Sequence, residues 1–321
     1  MTDKKEDNNL LVAIDGSYLC YYIQFGAFAE FKKSSTEADR FSNPDDIDQN
    51  DLPDILNVQD FRNILHNFAM KRLETVNYIL REHCQEDLDL ADRIDIVCVL
   101  DDKLSHSFRK KEYAFYKAQR KLVKRCYDVQ KVKEYILDVL FKELKVEEEH
   151  NWRFVKVENA EGDDVIATIL TKIPGYKNKI LIASDKDFLQ IPDVKQFDMA
   201  GNEIKRIVRG TDEELSPRDF LLWKIIRGDV SDNISGVFKG YGEKKSLNLV
   251  HDRDVLKKML KESQESAHQF YVNKFLMDFR NIPDELTNNI ITEVKDKLKD
   301  VKKNNSVLNV CADECIDLDA L

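Results

Sequence analysis

Val157-Glu158-Asn159-Ala160-Glu161-Gly162-Asp163-Asp164, followed at a short remove by Ala183-Ser184-Asp185-Lys186-Asp187-Phe188, twice places carboxylates where a strand gives way to a helix. Residues 152–157 read as a strand. Residues 161–171 read as a helix, because Val165, Ile166, Ile169 and Leu170 recur at helical spacing, and 179–183 read as a second strand. When such strands lie parallel, their carboxyl ends share one sheet edge, and ligands bind in the crevice outside it. Gathered carboxylates repel one another unless cations neutralise them, and their hard oxygens suit magnesium or manganese. Acids in a first helical turn also complement the macrodipole, which would by itself account for Glu161, Asp163 and Asp164. Asp185 and Asp187 tip the balance toward cation binding, because they directly follow a buried strand.

The same pattern recurs upstream. Residues 10–14 form an apolar strand ending in Asp15-Gly16-Ser17, and 94–100 form another that stops at Asp101-Asp102. A parallel sheet built from such units sets Asp15, Asp101 and Asp185 side by side, a repetition that capping does not explain. The spacing therefore predicts an α/β protein with a central, mostly parallel sheet flanked by helices. An amphipathic helix is expected over 58–84, with Phe61, Ile64, Leu65, Phe68, Leu73, Val76 and Ile79 on its buried stripe. A second is expected over 127–144. Short strands are expected at 196–198 and 204–208, a helix at 216–227 with Pro217 in its first turn, and mostly helix over 254–300.

At 321 residues the chain has room for about two domains. The expected division is a polar tail (1–9), an α/β domain (10–210), a helical domain (211–303) and an acidic tail (304–321). An acidic insertion at 34–54, with Pro44 and Pro53, reads as a solvated, partly disordered surface excursion. No apolar run approaches the roughly 18 residues of a membrane span, and residues 1–9 lack a secretory pattern, so a cytoplasmic location without membrane contact is expected. The six cysteines are scattered, and Cys311-x-x-x-Cys315 has no nearby histidine pair, which points to reduced thiols.

The net charge of −10, taken alone, argues against a nucleic-acid partner, but the charge is segregated. Residues 103–125 carry Lys103, Arg109, Lys110, Lys111, Lys117, Arg120, Lys121, Lys124 and Arg125 against the single acid Glu112, with Phe108, Tyr113, Phe115 and Tyr116 interleaved. Cations neutralise phosphates and aromatic faces stack on unpaired bases, whereas a purely solvated face has little use for aromatics. Further on, Gly228-Asp229-Val230-Ser231-Asp232-Asn233-Ile234-Ser235-Gly236-Val237 supplies two more carboxylates, and Gly240-Tyr241-Gly242 opens a helix with Lys244 and Lys245 in its first turns. Such a turn exposes N–H groups that grip a phosphate. The nucleotide P-loop pattern is not matched and no strand precedes it, so a DNA backbone fits better.

These motifs together resemble the structure-specific 5′-nuclease family, which includes flap endonucleases, the 5′-nuclease domains of bacterial DNA polymerases, and phage members. Glu161-Gly162-Asp163-Asp164 is similar to the family's Glu-Ala-Asp-Asp, and Ser184-Asp185-Lys186-Asp187 to its Ser-x-Asp-x-Asp. Residues 228–237 are close to Gly-Asp-x-x-Asp-Asn-x-x-Gly-Val, and Phe108-Arg109 with Tyr116-Lys117-Ala118-Gln119-Arg120 resembles Phe-Arg…Tyr-Lys-x-x-Arg of the helical arch. The likeness is nearest to the phage ribonuclease H branch of T-even type, which residues 275–289 also resemble.

The resemblance implies two Mg²⁺ ions, with Mn²⁺ able to substitute. Asp15, Asp101, Glu161, Asp163, Asp185 and Asp187 would surround the first, with Asp164, Asp229 and Asp232 nearer the second. It further implies that Arg109, Lys117 and Arg120 lie in an arch over the site and orient the scissile phosphate. Lys110, Lys111, Tyr116 and Lys121 would contact DNA there, while Gly236, Gly240, Gly242, Lys244 and Lys245 would hold duplex through a helix–turn–helix. Residues 237–245 depart from the family's turn by an extra residue and by Glu243, where some members hold a monovalent cation.

The implied substrates are branched or nicked duplex DNA and RNA–DNA hybrids, cut by a monomer during primer removal in phage replication. A sliding clamp or single-strand-binding protein is the expected partner of the tail. The competing reading is a non-catalytic nucleic-acid-binding relative, which gains nothing from acids concentrated near phosphates. A haloacid-dehalogenase-type phosphatase needs Asp-x-Asp after its first strand, and Asp15-Gly16-Ser17 lacks the second acid. A calcium loop at Asp185 lacks the required Gly and distal Glu.

Overall fold

The computed structural model describes residues 8–102, 107–119 and 123–299. Their apolar periodicity explains the architecture. In β1 (Asn9–Asp15), Leu10, Val12 and Ile14 face one core while Leu11 and Ala13 face another, so the strand is buried on both sides as a central parallel strand must be. It pairs in parallel with β2 (Arg93–Leu100) on one side and β4 (Tyr176–Ile182) on the other. Outside these lie β3 (Trp152–Lys156) and β5 (Lys195–Phe197), giving the all-parallel order β3-β2-β1-β4-β5. The chain fills one side of β1 before returning to the other. The crevice between β1 and β4 is therefore a topological switch point.

One face of the sheet is covered by α1 (Gly16–Ser34), α2 (Gln59–Leu90) and α4 (Val129–Tyr135). Helix α2 matches the expected stripe but continues past Cys84, where its backbone kinks. Helix α3 (Phe108–Glu112) is a single short element in the basic segment. Helix α4 runs through a π turn (Ile136–Leu140) into α5 (Phe141–Glu143) and α6 (Val146–Glu149). The opposite face packs α7 (Gly162–Lys172) beside α12 (Asp284–Leu298), whose Ile290, Val294 and Leu298 return from the end of the described chain to the sheet. Between them in sequence, α8 (Pro217–Arg227), α9 (Glu243–His251), α10 (Arg253–Glu262) and α11 (Gln264–Met277) form a helical unit around Phe220, Trp223, Leu247 and Leu256. Ser216 caps α8 by accepting the Asp219 N–H, with Pro217 at its first turn. Among the described residues no helix is long and apolar enough to cross a membrane.

The structure bears on three expectations. The 34–54 insertion is mostly exposed but ordered: it forms short 3-10 turns (Thr36–Phe41, Pro44–Asp46), the first of which buries Ala38 and Phe41. It also touches the basic segment, through Lys124 with Asp45 (2.7 Å) and a reciprocal pair of hydrogen bonds between the Gln49 amide and the Arg125 backbone. Of the expected helical arch over 103–125, the described residues show α3, which ends at Glu112, and the turns that follow it, while 103–106 and 120–122 lie outside them. Residues 204–208 form only isolated bridges, Glu203 to Phe197 and Ile207 to Glu214, because the backbone there turns back before a ladder can extend. The 304–321 tail, with Cys311 and Cys315, lies outside the described residues.

Phe41 meets Phe31 edge to face, with ring centroids 6.1 Å apart. A buried ring removed from such a contact costs about 3–5 kcal/mol. Phe41→Ala is thus expected to lower unfolding free energy in urea by an amount of that order; a change below about 0.5 kcal/mol would return the insertion to the surface.

Candidate active site

The edge where β1, β2 and β4 end gathers the acids. Asp15 terminates β1 and caps α1, accepting the Tyr18 N–H at 2.9 Å. Asp101 follows β2; its Oδ1 accepts the Gly162 N–H (2.7 Å) and its Oδ2 accepts the Ser17 hydroxyl (2.5 Å). A Cβ on Gly162 would stand 2.8 Å from Asp101 Oδ1, which explains glycine at the start of α7. Asp163 and Asp164 occupy the first turn of α7, and Asp185 follows β4, capping a 3-10 turn by accepting the Asp187 N–H.

Burial and repulsion shape their protonation. Asp15 is pushed up to about 7, first by burial and then by Asp101 and Asp185, with the Tyr18 N–H and Lys133 acting against them. Asp163 is raised well above the carboxylate range by burial, opposed by Lys117 and reinforced by Asp185, Asp101 and Asp15. A group of this kind gains from any nearby positive charge.

The protein supplies four such charges. Arg109, 2% exposed, grips Asp164 with Nη1 (2.6 and 2.8 Å) while its Nε donates to the Leu276 carbonyl, tying α3 to α7 and α11. Lys117 sits at φ 53°, a left-handed backbone costing on the order of 1 kcal/mol. Its buried ammonium donates to Glu161 (2.8 Å) and lies 3.8 Å from both Asp163 and Asp232. Burial opposes ionisation of Glu161, yet Lys117 and Arg109 outweigh it and hold the group below its ordinary value. Lys224 of α8 forms ion pairs with Asp187 and with Asp229 (3.1 Å), and Asp229 is held below its usual value because Lys224 and the Ser231 hydrogen bonds outweigh burial. Lys133 of α4 donates to the Ser17 hydroxyl at 2.7 Å.

The Asp229–Asp232 turn is fixed by Gly228, at φ 76°, where a Cβ would meet the Ser235 backbone at 2.5 Å. It is also the dock for the basic segment. The Lys117 N–H donates to the Asp232 carbonyl, Gln119 donates to the Val230 and Ser231 carbonyls, and Asn233 donates to the Phe115 carbonyl.

The structure thus brings Asp15, Asp101, Glu161, Asp163, Asp164, Asp185, Asp187, Asp229 and Asp232 to one region together with Arg109 and Lys117. Tyr116 is buried with its hydroxyl donating to Glu161, and Lys110 is turned inward to the Ala114 and Tyr116 carbonyls. Lys111, Gly236, Gly240, Gly242, Lys244 and Lys245 are exposed, and Gly242 precedes the first turn of α9. Arg120 and Lys121 lie outside the described residues. Sequence reading missed Ser17, Lys133 and Lys224; the adjacency of Ser17 to Asp15 was the one available signal. Among the described residues no three acid, histidine or cysteine side chains already surround a common cation position, since lysine ammoniums stand between them. The donor set is nonetheless all hard carboxylate oxygen, and Asp15 and Asp163 are electrostatically short of positive charge, which fits a divalent cation.

Residues 64–215 match the model of the 5′-3′ exonuclease N-terminal, resolvase-like domain. Among curated relatives, the 5′-3′ exonuclease of Mycoplasmopsis pulmonis is 35% identical over 112 residues, covering 34% of this chain and 37% of that protein. The ribonuclease H of Enterobacteria phage T4 is 31% identical over 154 residues, covering 42% of this chain and 48% of that protein. The chain thus spans less than half the length of either. The phage T5 D15 protein co-crystallised with metal ions shares the fold, with a TM-score of 0.56 at 16% identity over 91% of this chain and 100% of that one. The same phage's D15 flap endonuclease, in a pseudo-enzyme–product complex with DNA and metal ions, superposes with a TM-score of 0.52 at 16% identity, covering 90% and 98%.

Because folding favours the protonated form of Asp15, its contribution to stability is complete below the unfolded value of 3.8 and is lost as pH rises through about 7. In chelator, the thermal midpoint is expected to fall on going from about pH 5 to about pH 8, and Asp15→Asn to flatten that fall. An unchanged slope in the variant would remove Asp15 as a cause.

Proposed function

We propose that the chain is a divalent-metal-dependent, structure-specific 5′ to 3′ nuclease. It hydrolyses phosphodiester bonds in DNA duplexes with 5′ ends or flaps and in RNA–DNA hybrids, removing primers during phage DNA replication. The observation that carries this reading is the convergence of carboxylates from the ends of β1, β2 and β4, from α7 and from the Asp229–Asp232 turn, beneath a docked basic segment. A binding module would not be expected to place like charges where a phosphate must pass. The family match and the names of the relatives support the same chemistry.

In this proposal Asp15, Asp101, Asp163 and Asp185 hold one Mg²⁺, and Asp187, Asp229 and Asp232 hold a second. When bound, the ions supply an activated water and stabilise charge on the transferring phosphoryl group. Asp164 and Glu161 act differently, since Arg109 and Lys117 already engage them. Asp164 anchors Arg109 and with it the base of the basic segment. Lys117 reaches three of the acids, Glu161, Asp163 and Asp232, and is placed to exchange a carboxylate for a phosphate oxygen, with Arg120 three residues on in sequence. Donors aimed at charge that develops during reaction are worth roughly 10²–10³ in rate each. Lys244 and Lys245, exposed on the first turn of α9, face the solvent where duplex would be held.

Labelled nicked, flapped and hybrid substrates incubated with Mg²⁺ should release short 5′ products. Asp185→Asn or Asp187→Asn should abolish that release while leaving DNA binding within a few fold, and cleavage retained by the double variant would sink the assignment. Replacing Lys117 and Arg120 with Ala should slow cleavage by roughly 10²-fold or more and weaken duplex binding far less. Equal losses would mean the two side chains only attract substrate.

A further inference from the structure

Lys133 stands apart from the other buried cations. It is 6% exposed, and among the described residues no carboxylate lies within ion-pair distance of its ammonium. Its hydrogen bond goes to the Ser17 hydroxyl at 2.7 Å, with the Tyr21 ring 5.7 Å away. Lys131, the other lysine of α4, is exposed, whereas Lys133 is turned into the protein.

The chemistry of the three groups fixes a direction. An ammonium donates and has no lone pair, so the Ser17 oxygen must accept from Lys133. The single Ser17 proton is then left for Asp101 Oδ2, 2.5 Å away. The Gly162 N–H fills Oδ1 of the same carboxylate at 2.7 Å. Asp101 is thereby an acceptor on both oxygens and is held in one orientation by α4, α1 and α7 at once. With a neutral group at 133 the Ser17 hydroxyl could rotate, and Asp101 would lose the partner that orients it.

We propose that Lys133 and Ser17 are positioning residues of the cation site: through a one-way hydrogen-bond relay they orient Asp101 toward the cluster shared with Asp15, Asp163 and Asp185. This rests on the reading of Asp101 as a cation-holding acid. Groups that orient a ligand from behind typically contribute 10–100-fold to metal affinity, which is the scale on which the relay acts. Lys133 lies beyond the basic segment, on α4, whereas Arg109 is on α3 and Lys117 in the turn after it, so the carboxylate edge is served from within that segment and from beyond it.

The test uses the full chain and Mn²⁺ alone as probe, with affinity measured by titration calorimetry and folding followed by thermal midpoint. Lys133→Met and Ser17→Ala are each expected to weaken Mn²⁺ binding about 10-fold or more, and the double variant to be no weaker than the poorer single one, because both break the same relay. Lys133→Arg should recover part of the loss. Ser17→Ala keeps the test alive should Lys133→Met fail to fold. Affinity within twofold of the parent in folded Ser17→Ala, or losses that multiply in the double variant, would overturn the relay while leaving the nuclease reading intact. Failure of the parent protein itself to bind Mn²⁺ or to cut 5′-ended substrates would instead overturn the functional reading, and the relay with it.

Discussion

Mutual repulsion among carboxylates at the carboxyl edge of the sheet is the constraint on which the rest of this structure depends. Two like charges 4 Å apart cost about 4 kcal/mol in a partly screened protein environment. The parallel sheet brings them together, because β1 ends in Asp15 while Asp101 and Asp185 follow the ends of β2 and β4 on the same side. The described structure answers with Arg109, Lys117, Lys133 and Lys224, delivered from α3, the turn after it, α4 and α8. Each of these cations also ties its own element to the sheet edge. The helical unit and the basic segment are thus placed by the need to offset the same negative field.

That arrangement has a functional side. A buried ion pair contributes little net stability once desolvation is counted, so a cluster of them is poor evidence of a structural role. Here Asp15 and Asp163 keep a raised protonation even with the lysines in place, first through burial and then through repulsion from neighbouring aspartates. The site has capacity for further positive charge, and Lys117 and Lys224 are the groups that would have to yield room to it. The 34–54 insertion fits the same logic from the outside, with Asp45 and Gln49 clasping the far leg of the basic segment.

Much of this was legible in the residues. Apolar runs that stop at Asp15, Asp101 and Asp185 revealed the parallel sheet and its acidic edge, because strand burial and strand termination are both local properties. Ser216-Pro217 announced α8 for the same reason. The order within the insertion was not legible, because acids and prolines signal solvent on average, whereas Phe41 and Ala38 find a core only after α1 and α2 have packed. The turns within the basic segment were not legible, because its charge pattern does not record where turns begin.

What the sequence determined by itself is the fold class and the set of acids that meet. Those follow from period, spacing and residue type. Tertiary structure alone decided which cation faces which acid: Arg109 with Asp164, Lys117 with Glu161, Lys224 with Asp187 and Asp229, and Lys133 with Ser17. A lysine's long apolar stem packs equally well with its ammonium in solvent or buried, so an amphipathic helix reads the same in either case. Only the packing of α4 and α8 against the sheet edge, set by contacts far apart in the chain, turns two ordinary helix lysines into parts of the site.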